Sequence, residues 1–382
     1  MARRLKSICS HINKPIAQSR ELTRTMSQSS NISLAILDDY PGIAPKHFQH
    51  LKDIKVDSFP ETLQATKKDD LEAQIERLQP YQVISTMRER TAFPAELQKQ
   101  LPNLKLLMTT GPRNASIDLK AASEQGIIVT GTVGGKPKHP ENYSSDDVPP
   151  PPEGNSVNQH SWALLLGLCG NIAKDDNALK SDAKAWQSGL AIPLGGKTLG
   201  LVGLGKLGSL MAQTGVQAFG MKAIAWSENL TQEKADAAAE NSGLAKGTIK
   251  AVSKEELFKQ SDVVSLHVVL SDRSRGIVGE KELGMMKKSA LLVNTSRGGL
   301  IDEKPFLKAL QEGSIRGAAL DVYWEEPLPA DSPWRSKDFK SEVVLSPHMG
   351  YVNAGTMNRW YEEQAENLER WLKGEELLHK MN

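Results

Sequence analysis

The sequence predicts an α/β protein built from two doubly wound parallel-sheet domains. Short apolar runs alternate with segments of helical periodicity along most of the chain, and this alternation is typical of βαβ units that form a parallel sheet. A proline-rich segment interrupts the alternation once, and the pattern then resumes around a glycine-rich turn. The length of 382 residues predicts two to three domains rather than one, because domains commonly contain about 150 residues.

The first domain is predicted from five apolar runs, separated by helix-like stretches that open with helix-starting residues such as Pro45, Asp70 and Ser116. The predicted strands are Ile32–Leu37, Ile54–Phe59, Val83–Thr86, Leu104–Met108 and Ile127–Val129. The predicted helices are Pro45–Leu51, Asp70–Leu78, Pro94–Lys99 and Ser116–Glu124.

Two segments depart from this pattern. Residues 1–30 hold six Lys and Arg, with Glu21 as the only acid, a composition typical of a transit peptide; a disordered tail or a true start at Met26 are the alternatives. Residues 133–155 hold six of the twenty prolines, including the run Pro149–Pro152. Such a segment buries little apolar surface and predicts an inserted surface loop. A proline-rich docking motif for a partner is the alternative.

The second domain begins, after an apolar helix predicted over about Val157–Leu179, with a glycine-rich turn in a strand–turn–helix context. Leu199–Val202 predicts a buried strand, and residues 203–208 read G-L-G-K-L-G. Helical spacing over Lys206–Ala218 and a second strand over Met221–Trp226 follow. A glycine motif in this context predicts a dinucleotide-binding unit, whereas the same motif alone fits an unliganded turn.

Each residue of this turn has an expected task. Gly203 permits the tight turn, Gly205 lets the backbone approach a pyrophosphate, and Gly208 allows the helix to pack closely on the sheet. The pyrophosphate is expected at the helix N-terminus, where Lys206 and Leu207 lie and backbone N–H groups lack helical partners.

The tip of the second strand bears on the choice of dinucleotide. An acidic residue usually stands there and binds the adenosine ribose, but Ser227 occupies this position and Glu228 follows it. A serine does not repel a 2′-phosphate as an aspartate would, yet no arginine lies at 227–229 to bind one. The sequence therefore favours NAD, with NADP as the alternative.

Three polar residues follow further predicted strands of this domain. These strands are Val263–His267, Leu291–Asn294, Gly317–Val322 and Val343–Leu345, with a helix over Glu303–Glu312. Arg297, Glu326 and His348 come after the last three strands, and ligands of open α/β sheets bind at the carboxyl ends of strands. Each residue alone also fits a structural role, as an ion pair, a solvated acid or a capping histidine. Together they supply the cation, carboxylate and proton carrier that carbonyl reduction by hydride requires.

The chain resembles the D-isomer-specific 2-hydroxyacid dehydrogenases in four ordered motifs. These are Gly203–Gly208, Asn294–Asp302, Asp321–Pro327 and Ser346–Gly350. The resemblance extends from about Asn31 to the C-terminus, apart from the proline-rich insert. It implies a flavodoxin-like substrate domain over 31–158 and 349–382, an inserted Rossmann NAD-binding domain over 159–348, and an active site in the cleft. It also implies a homodimer, formed in part through a helix containing Trp162–Leu168.

The resemblance further implies a role for each candidate residue. Arg297 would grip a substrate carboxylate and polarise the adjacent ketone, a task that suits a planar guanidinium. His348 would exchange a proton with the reacting oxygen, and Glu326 would orient the imidazole. The implied cofactor contacts are Thr295, Ser296, Gly350 and Asp321, the last toward the nicotinamide carboxamide.

On the substrate side, the resemblance implies that the backbone N–H groups of Thr110 and Gly111 bind the carboxylate. Arg88 and Arg90 would add positive charge, although an ion pair with Glu89 fits them as well. Pro112 is unusual in this turn and predicts that the carboxylate loop is reshaped.

These features predict an NAD(P)-dependent reductase of small 2-keto acids, such as glyoxylate or hydroxypyruvate. A formate-dehydrogenase-like enzyme is one alternative, against which Glu326 argues. An NAD(H)-sensing corepressor on the same fold is another, and the trio does not exclude it.

The composition argues against several classes of partner and site. A net charge of +1 argues against a nucleic-acid or anionic-membrane partner, and the most apolar stretch, Trp162–Cys169, is far shorter than the roughly 18 residues of a membrane span. Two distant cysteines predict a reducing, cytoplasmic location, or the mitochondrial matrix if the tail is a transit peptide. His47 and His50 lack nearby ligand partners, so no metal is predicted, and His267 is expected to be packed or beside the cofactor.

Overall fold

A computed structural model describes residues 32–63, 68–134, 155–336 and 338–382. The basic tail, its alternative start at Met26 and nearly all of the proline-rich insert lie outside the described residues. The described chain divides into two compact units, one within Met1–Pro140 and Met357–Asn382 and the other within Glu141–Thr356. The expected boundaries at 158 and 348 stay a prediction.

The first unit is built on a five-stranded parallel sheet with the order β2-β1-β3-β4-β5, and we call it the five-stranded unit. Its strands are β1 Ile32–Leu37, β2 Ile54–Phe59, β3 Val83–Thr86, β4 Leu106–Thr109 and β5 Ile128–Thr130. Its helices are Pro45–Phe48, Lys68–Leu78, Ala95–Lys99 and Leu119–Glu124, together with most of Ala354–Lys373. This strand order is that of flavodoxin-like folds, as expected.

The second unit is built on a seven-stranded parallel sheet with the order β12-β11-β10-β9-β6-β7-β8, and we call it the seven-stranded unit. Its strands are β6 Thr198–Val202, β7 Lys222–Trp226, β8 Ile249–Ala251, β9 Val263–Leu266, β10 Leu291–Asn294, β11 Gly317–Leu320 and β12 Glu342–Leu345. Its helices are Ser156–Cys169, Ile172–Ser181, Lys206–Phe219, Gln232–Asn241, Lys254–Gln260, Glu280–Met285 and Glu303–Glu312. The order is that of a Rossmann sheet extended by one edge strand, which confirms the predicted fold class.

Strand register brings the candidate loops of this unit to one edge. The paired strand ends are Val202 with Leu266, Leu266 with Asn294, Asn294 with Leu320, and Leu320 with Leu345. Because all these strands are parallel, the segments that follow them emerge on the same side of the sheet. The glycine turn and the three motifs singled out in the sequence are therefore neighbours in this fold.

Several local expectations differ from the structure; for example, the strand predicted over Gly317–Val322 ends at Leu320, and the helix predicted over Ser116–Glu124 begins at Leu119. The long apolar helix predicted over about Val157–Leu179 is two helices, because the chain turns at Asn171, whose φ is +56°. Strand β8 was not predicted, since it has only three residues with a lysine at its centre. Strands β4 and β5 end one residue later than expected. Among the described helices, none is long and apolar enough to cross a membrane.

Candidate active site

The glycine turn between β6 and the helix Lys206–Phe219 has two glycines that packing requires. A Cβ on Gly203, whose φ is +99°, would lie 2.9 Å from the carbonyl carbon and oxygen of His267. A Cβ on Gly208 would collide with the carbonyl oxygen of Gly203. These contacts bring the helix close to the sheet, as the motif predicts.

The third glycine of the turn leaves space instead. Among the described residues, no atom lies within 4 Å of a Cβ built on Gly205, which is the N-cap of the helix. Lys206 and Leu207 are the first helical residues, exposed and half-buried respectively, and the first N–H groups of a helix have no intrahelical acceptor. This open space at a positive helix end fits the pyrophosphate of a dinucleotide.

Ser227 stands where the sequence places it. It follows the last residue of β7, Trp226, and is half-buried, and its carbonyl oxygen accepts the N–H of Leu230 at 3.1 Å. With Leu204 of the glycine turn it lines one open depression of the seven-stranded unit. The strand tip and the glycine turn therefore share a surface, as the adenosine end of a dinucleotide site requires.

The segment after β10 is held by short hydrogen bonds. The Asn294 side chain donates to the carbonyl oxygen of Arg297 at 2.9 Å and accepts the N–H of Ser296 at 3.1 Å. The Ser296 hydroxyl donates to the carbonyl oxygen of Leu266 at 2.7 Å, and the Thr295 hydroxyl lies 2.7 Å from that of Ser161. This bracing fixes the backbone from which the half-buried Arg297 side chain extends.

His348 and Glu326 form a pair in the seven-stranded unit. Nδ1 of His348 lies 2.5 Å from Oε2 of Glu326, and Oε1 of the same carboxylate accepts the N–H of Tyr323 at 2.8 Å. Tyr351 packs against the imidazole edge-on, with ring centroids 5.3 Å apart. Because the carboxylate occupies Nδ1, the other ring nitrogen, Nε2, is left to exchange a proton with a ligand.

Asp321 has a role in this site that the sequence did not suggest. Its carboxylate is 1 % exposed. Oδ1 accepts the hydroxyl of Ser346 at 2.7 Å and the N–H of Met349 at 2.8 Å, and Oδ2 accepts the N–H of Gly350 at 2.9 Å. One buried acid thus holds both sides of the turn that carries His348.

His160, on the helix Ser156–Cys169, completes this arrangement. Its Nε2 lies 2.8 Å from the Ser346 hydroxyl and 3.1 Å from Oδ1 of Asp321. Burial by itself raises the pKa of Asp321, but the hydrogen bonds from His160, Ser346 and two backbone N–H groups outweigh it and hold that pKa below its ordinary value. A histidine just before the apolar stretch Trp162–Cys169 was the available signal, yet the sequence does not reveal which strand it faces.

His267 is half-buried and packs against the glycine turn. Burial lowers the pKa of His267 to about 4, and its Nε2 lies 2.9 Å from the hydroxyl of Ser265. It is therefore neutral near pH 7 and packed next to the glycine turn, a place that fits both roles expected for it.

In the five-stranded unit, the amides of the expected carboxylate loop already have acceptors. The Thr110 N–H donates to the carbonyl oxygen of Thr86 at 3.0 Å, and the Gly111 N–H donates to the Thr132 hydroxyl at 2.7 Å. The Thr110 hydroxyl oxygen accepts the N–H of Arg88 at 3.0 Å. Both amides must exchange these bonds before they can bind a carboxylate, so the assignment of this loop stays a prediction.

The two arginines after β3 have contacts within the same unit. The Arg88 guanidinium covers Gly111, where a Cβ would collide with it, and lies 6.0 Å from the Trp360 ring centre. Nε of Arg88 is also 3.5 Å from the Glu89 carboxylate, so the alternative ion pair is present. The Arg90 guanidinium lies 4.9 Å from the ring centre of Tyr40.

The histidines considered as metal ligands have other surroundings. Nε2 of His47 lies 2.8 Å from the side-chain oxygen of Asn358, and its ring stacks on Tyr361 at 6.3 Å. His50 is exposed. Within the described ranges, no group of three or more His, Cys, Asp or Glu residues is placed to hold a metal ion.

Comparison with known proteins agrees with this geometry. Residues 162–350 match the family model described as D-isomer specific 2-hydroxyacid dehydrogenase, NAD binding domain. The chain is 33% identical over 312 residues to a glyoxylate reductase of Aeropyrum pernix, covering 77% of this chain and 84% of that protein. It is 32% identical over 292 residues to a D-3-phosphoglycerate dehydrogenase of Methanocaldococcus jannaschii, covering 76% of this chain but only 50% of the relative.

A solved structure shows the same likeness. The phosphoglycerate oxidoreductase of Vibrio cholerae superposes with a TM-score of 0.75 at 31% identity, covering 90% of this chain and 99% of that one. The space at Gly205 and the exposed helix start fit the dinucleotide that the family model names.

Proposed function

Because this chain belongs to the D-isomer-specific 2-hydroxyacid dehydrogenase family, whose NAD-binding domain it contains, we propose that it reduces small 2-keto acids of the glyoxylate or hydroxypyruvate type. The observation that carries the proposal is the 2.5 Å contact between His348 and Glu326. It lies in a unit whose glycine turn has space for a dinucleotide and whose Arg297 follows a strand at the same sheet edge. A proton carrier, a cation and a dinucleotide cradle are the parts that such a reduction needs.

Arg297 is proposed to bind the substrate. A guanidinium can donate two parallel N–H bonds to a carboxylate, which fixes both the position and the rotation of a 2-keto acid. Its positive charge also stabilises the negative charge that develops on the adjacent carbonyl oxygen. The brace formed by Asn294 and Ser296 keeps the backbone of this arginine in place.

His348 is proposed to supply the proton. A reduced dinucleotide held at the glycine turn would supply the hydride for the keto carbon. As the C=O π bond breaks, its electron pair moves to oxygen, which takes the proton from Nε2 of the protonated imidazole. Glu326 at Nδ1 orients the ring and stabilises its positive charge before transfer. In the oxidation of a 2-hydroxy acid the same nitrogen takes the proton back.

The other residues singled out in the sequence are assigned to cofactor or substrate contacts. We propose that Thr295, Ser296 and Gly350 contact the cofactor, while Asp321 acts mainly by holding the His348 turn. In the five-stranded unit, Arg88 and the Thr110–Gly111 segment are proposed to contribute to recognition of the substrate carboxylate.

A second copy of this chain is the proposed partner. Apolar side chains on and after the helices Ser156–Cys169 and Ile172–Ser181 are exposed, including Ile172 at 63% and Leu190 at 86%. Apolar surface of this kind is typical of an interface. Light scattering should give twice the 41.8 kDa chain mass, and a monomer would rule the dimer out.

The decisive experiment is an assay of a panel of 2-keto acids of increasing size, with NADH and NADPH as separate reductants. We expect oxidation of the reduced nicotinamide with glyoxylate or hydroxypyruvate, and loss of affinity for the keto acid in Arg297→Met. A Lys308→Met variant, at an exposed position of the helix Glu303–Glu312, is the control. If the chain binds dinucleotide but reduces none of the acids, it is a binding protein and the proposal fails.

A further inference from the structure

The depression that Ser227 lines is an open, charged surface next to the glycine turn. It has a volume of about 810 Å³ and takes Leu204 from the turn, the segment after β7, and the segment 268–277 after β9. Its charged lining residues are Lys234, Lys254, Arg273, Arg275 and Glu228. Four cations thus face one carboxylate, at the place where a Rossmann unit binds the adenosine ribose.

The segment that carries Arg273 is held at its base by hydrogen bonds of Ser274. The Ser274 hydroxyl donates to the carbonyl oxygen of Val269 at 2.6 Å and accepts the N–H of Ser271 at 2.8 Å, and Ser274 is buried. Arg273 itself is exposed and forms no ion pair with any described residue. A fixed backbone thus presents a solvated guanidinium to the depression.

Lys254 adds a second, partly compensated charge. Its Nζ pairs with Glu282 at 2.9 Å and lies 5.6 Å from the ring centre of Trp226, the last residue of β7. On the other side, Nζ of Lys234 donates to the carbonyl oxygen of Asn229 at 2.8 Å and so stabilises the segment after Ser227. The cations therefore surround the strand tip on several elements.

A dinucleotide with a 2′-phosphate would bring to this place a group of about −1.5 to −2 charge at neutral pH. Sites selective for NAD exclude that group with an acid at the strand tip, whereas Ser227 carries no charge and can donate a hydroxyl. The carboxylate that lines the depression, Glu228, is exposed, and its charge is screened by solvent.

We propose that this depression binds the 2′-phosphate of NADP(H), with Arg273 as the main cation and Ser227 as the permissive residue, so that NADP(H) binds at least as tightly as NAD(H). This rests on the proposed dinucleotide binding and names the form of cofactor that the site takes. A guanidinium and a hydroxyl both donate to phosphate oxygens, and such bonds are among the stronger ones in proteins.

The test measures binding without turnover. Isothermal titration with ADP-ribose and with 2′-phospho-ADP-ribose, which lack the reacting nicotinamide, compares the two ribose forms directly. We expect the phosphorylated form to bind at least as tightly in the wild type. Arg273→Glu and, separately, Ser227→Asp should weaken it about tenfold, or ~1.4 kcal/mol. The affinity for ADP-ribose should change about twofold or less in Arg273→Glu and should not fall in Ser227→Asp, since an acid at this place can bind the ribose. Added salt should weaken the phosphorylated form more than ADP-ribose, because it carries the additional charge of the 2′-phosphate.

Lys308→Glu is the matched control, because Lys308 is exposed on the helix Glu303–Glu312 and does not line the depression. It should leave both affinities unchanged. Tight binding of ADP-ribose with much weaker binding of the phosphorylated form overturns the inference and leaves the proposed function intact. Equal losses for both ligands in Arg273→Glu also overturn it, since the arginine would then be structural. Failure of both ligands to bind the wild type overturns the inference together with dinucleotide binding.

Discussion

Two segments that carry candidate site residues follow parallel strands, yet they differ in how their polar groups are used. In the seven-stranded unit, the turn with His348 is held from below by Asp321, which accepts the N–H groups of Met349 and Gly350. In the five-stranded unit, the amides of Thr110 and Gly111 donate to acceptors of their own unit. The first arrangement leaves the functional side chain available, and the second already occupies the functional donors.

The difference indicates where the structure is organised before a ligand arrives. A proton carrier must be oriented in advance, because catalysis depends on groups that need no rearrangement in the transition state. A loop that only adds affinity can exchange hydrogen bonds when substrate binds, at a modest cost. Substitutions in the two segments should therefore differ in size and in the kinetic constant that they change.

The largest effect is expected for His348→Gln, which removes the proton carrier. The turnover number for keto-acid reduction should fall by about 10²- to 10⁴-fold, the range typical of general acid catalysis, while cofactor affinity stays unchanged. Steady-state kinetics and titration with ADP-ribose measure the two quantities. His50→Gln, at an exposed position, is the control. A turnover number close to wild type in His348→Gln would show that His348 is not the proton carrier.

An intermediate effect is expected for Asp321→Asn. The amide cannot accept every bond of the carboxylate, so the His348 turn should shift, and a displacement of about 1 Å can cost ~10²-fold in rate. The pH dependence of the rate should change with it, which a purely structural loss of folded protein would not produce. Wild-type kinetics in this variant would show that Asp321 is not needed to hold the His348 turn.

The same substitution should also change acid stability. Because the folded pKa of Asp321 lies below its ordinary value, the stabilisation from the ionised group is complete above about pH 4 and is lost as pH falls through the lowered pKa. The free energy of unfolding should differ most between wild type and Asp321→Asn near neutral pH, and the difference should shrink in acid. Urea denaturation at several pH values measures this, and a constant difference would contradict it.

The smallest effect is expected for Arg88→Gln in the five-stranded unit. Since this arginine also contacts Glu89 and Trp360, its loss should raise KM for the keto acid by about tenfold or less, or ~1.4 kcal/mol, with little change in the turnover number. Lys120→Gln, exposed on the helix Leu119–Glu124, is the control. A drop in the turnover number as large as that of His348→Gln would contradict the proposed difference, because the segment with Arg88 would then contribute to catalysis and not only to affinity.

Much of the fold and part of the site could be predicted from local patterns. Buried parallel strands are continuous apolar runs, so β6, β9 and β10 were found at or within one residue of their bounds. The glycine turn was predictable because close packing in a strand–turn–helix unit leaves no space for a Cβ at Gly203 or Gly208. The edge strand β8 and the break at Asn171 were missed, because three residues and one left-handed backbone angle leave little periodic signal.

By itself, the sequence determined the α/β class, the two sheets, the dinucleotide turn and the positions of Arg297, Glu326 and His348 after their strands. Only the tertiary structure decided which groups meet. His160 and Asp321 lie 161 residues apart in the chain, and the acceptors of the Thr110 and Gly111 amides belong to other segments. The reason is physical: hydrophobic periodicity is a property of one segment, whereas a buried polar group must find partners from whichever segments packing brings beside it.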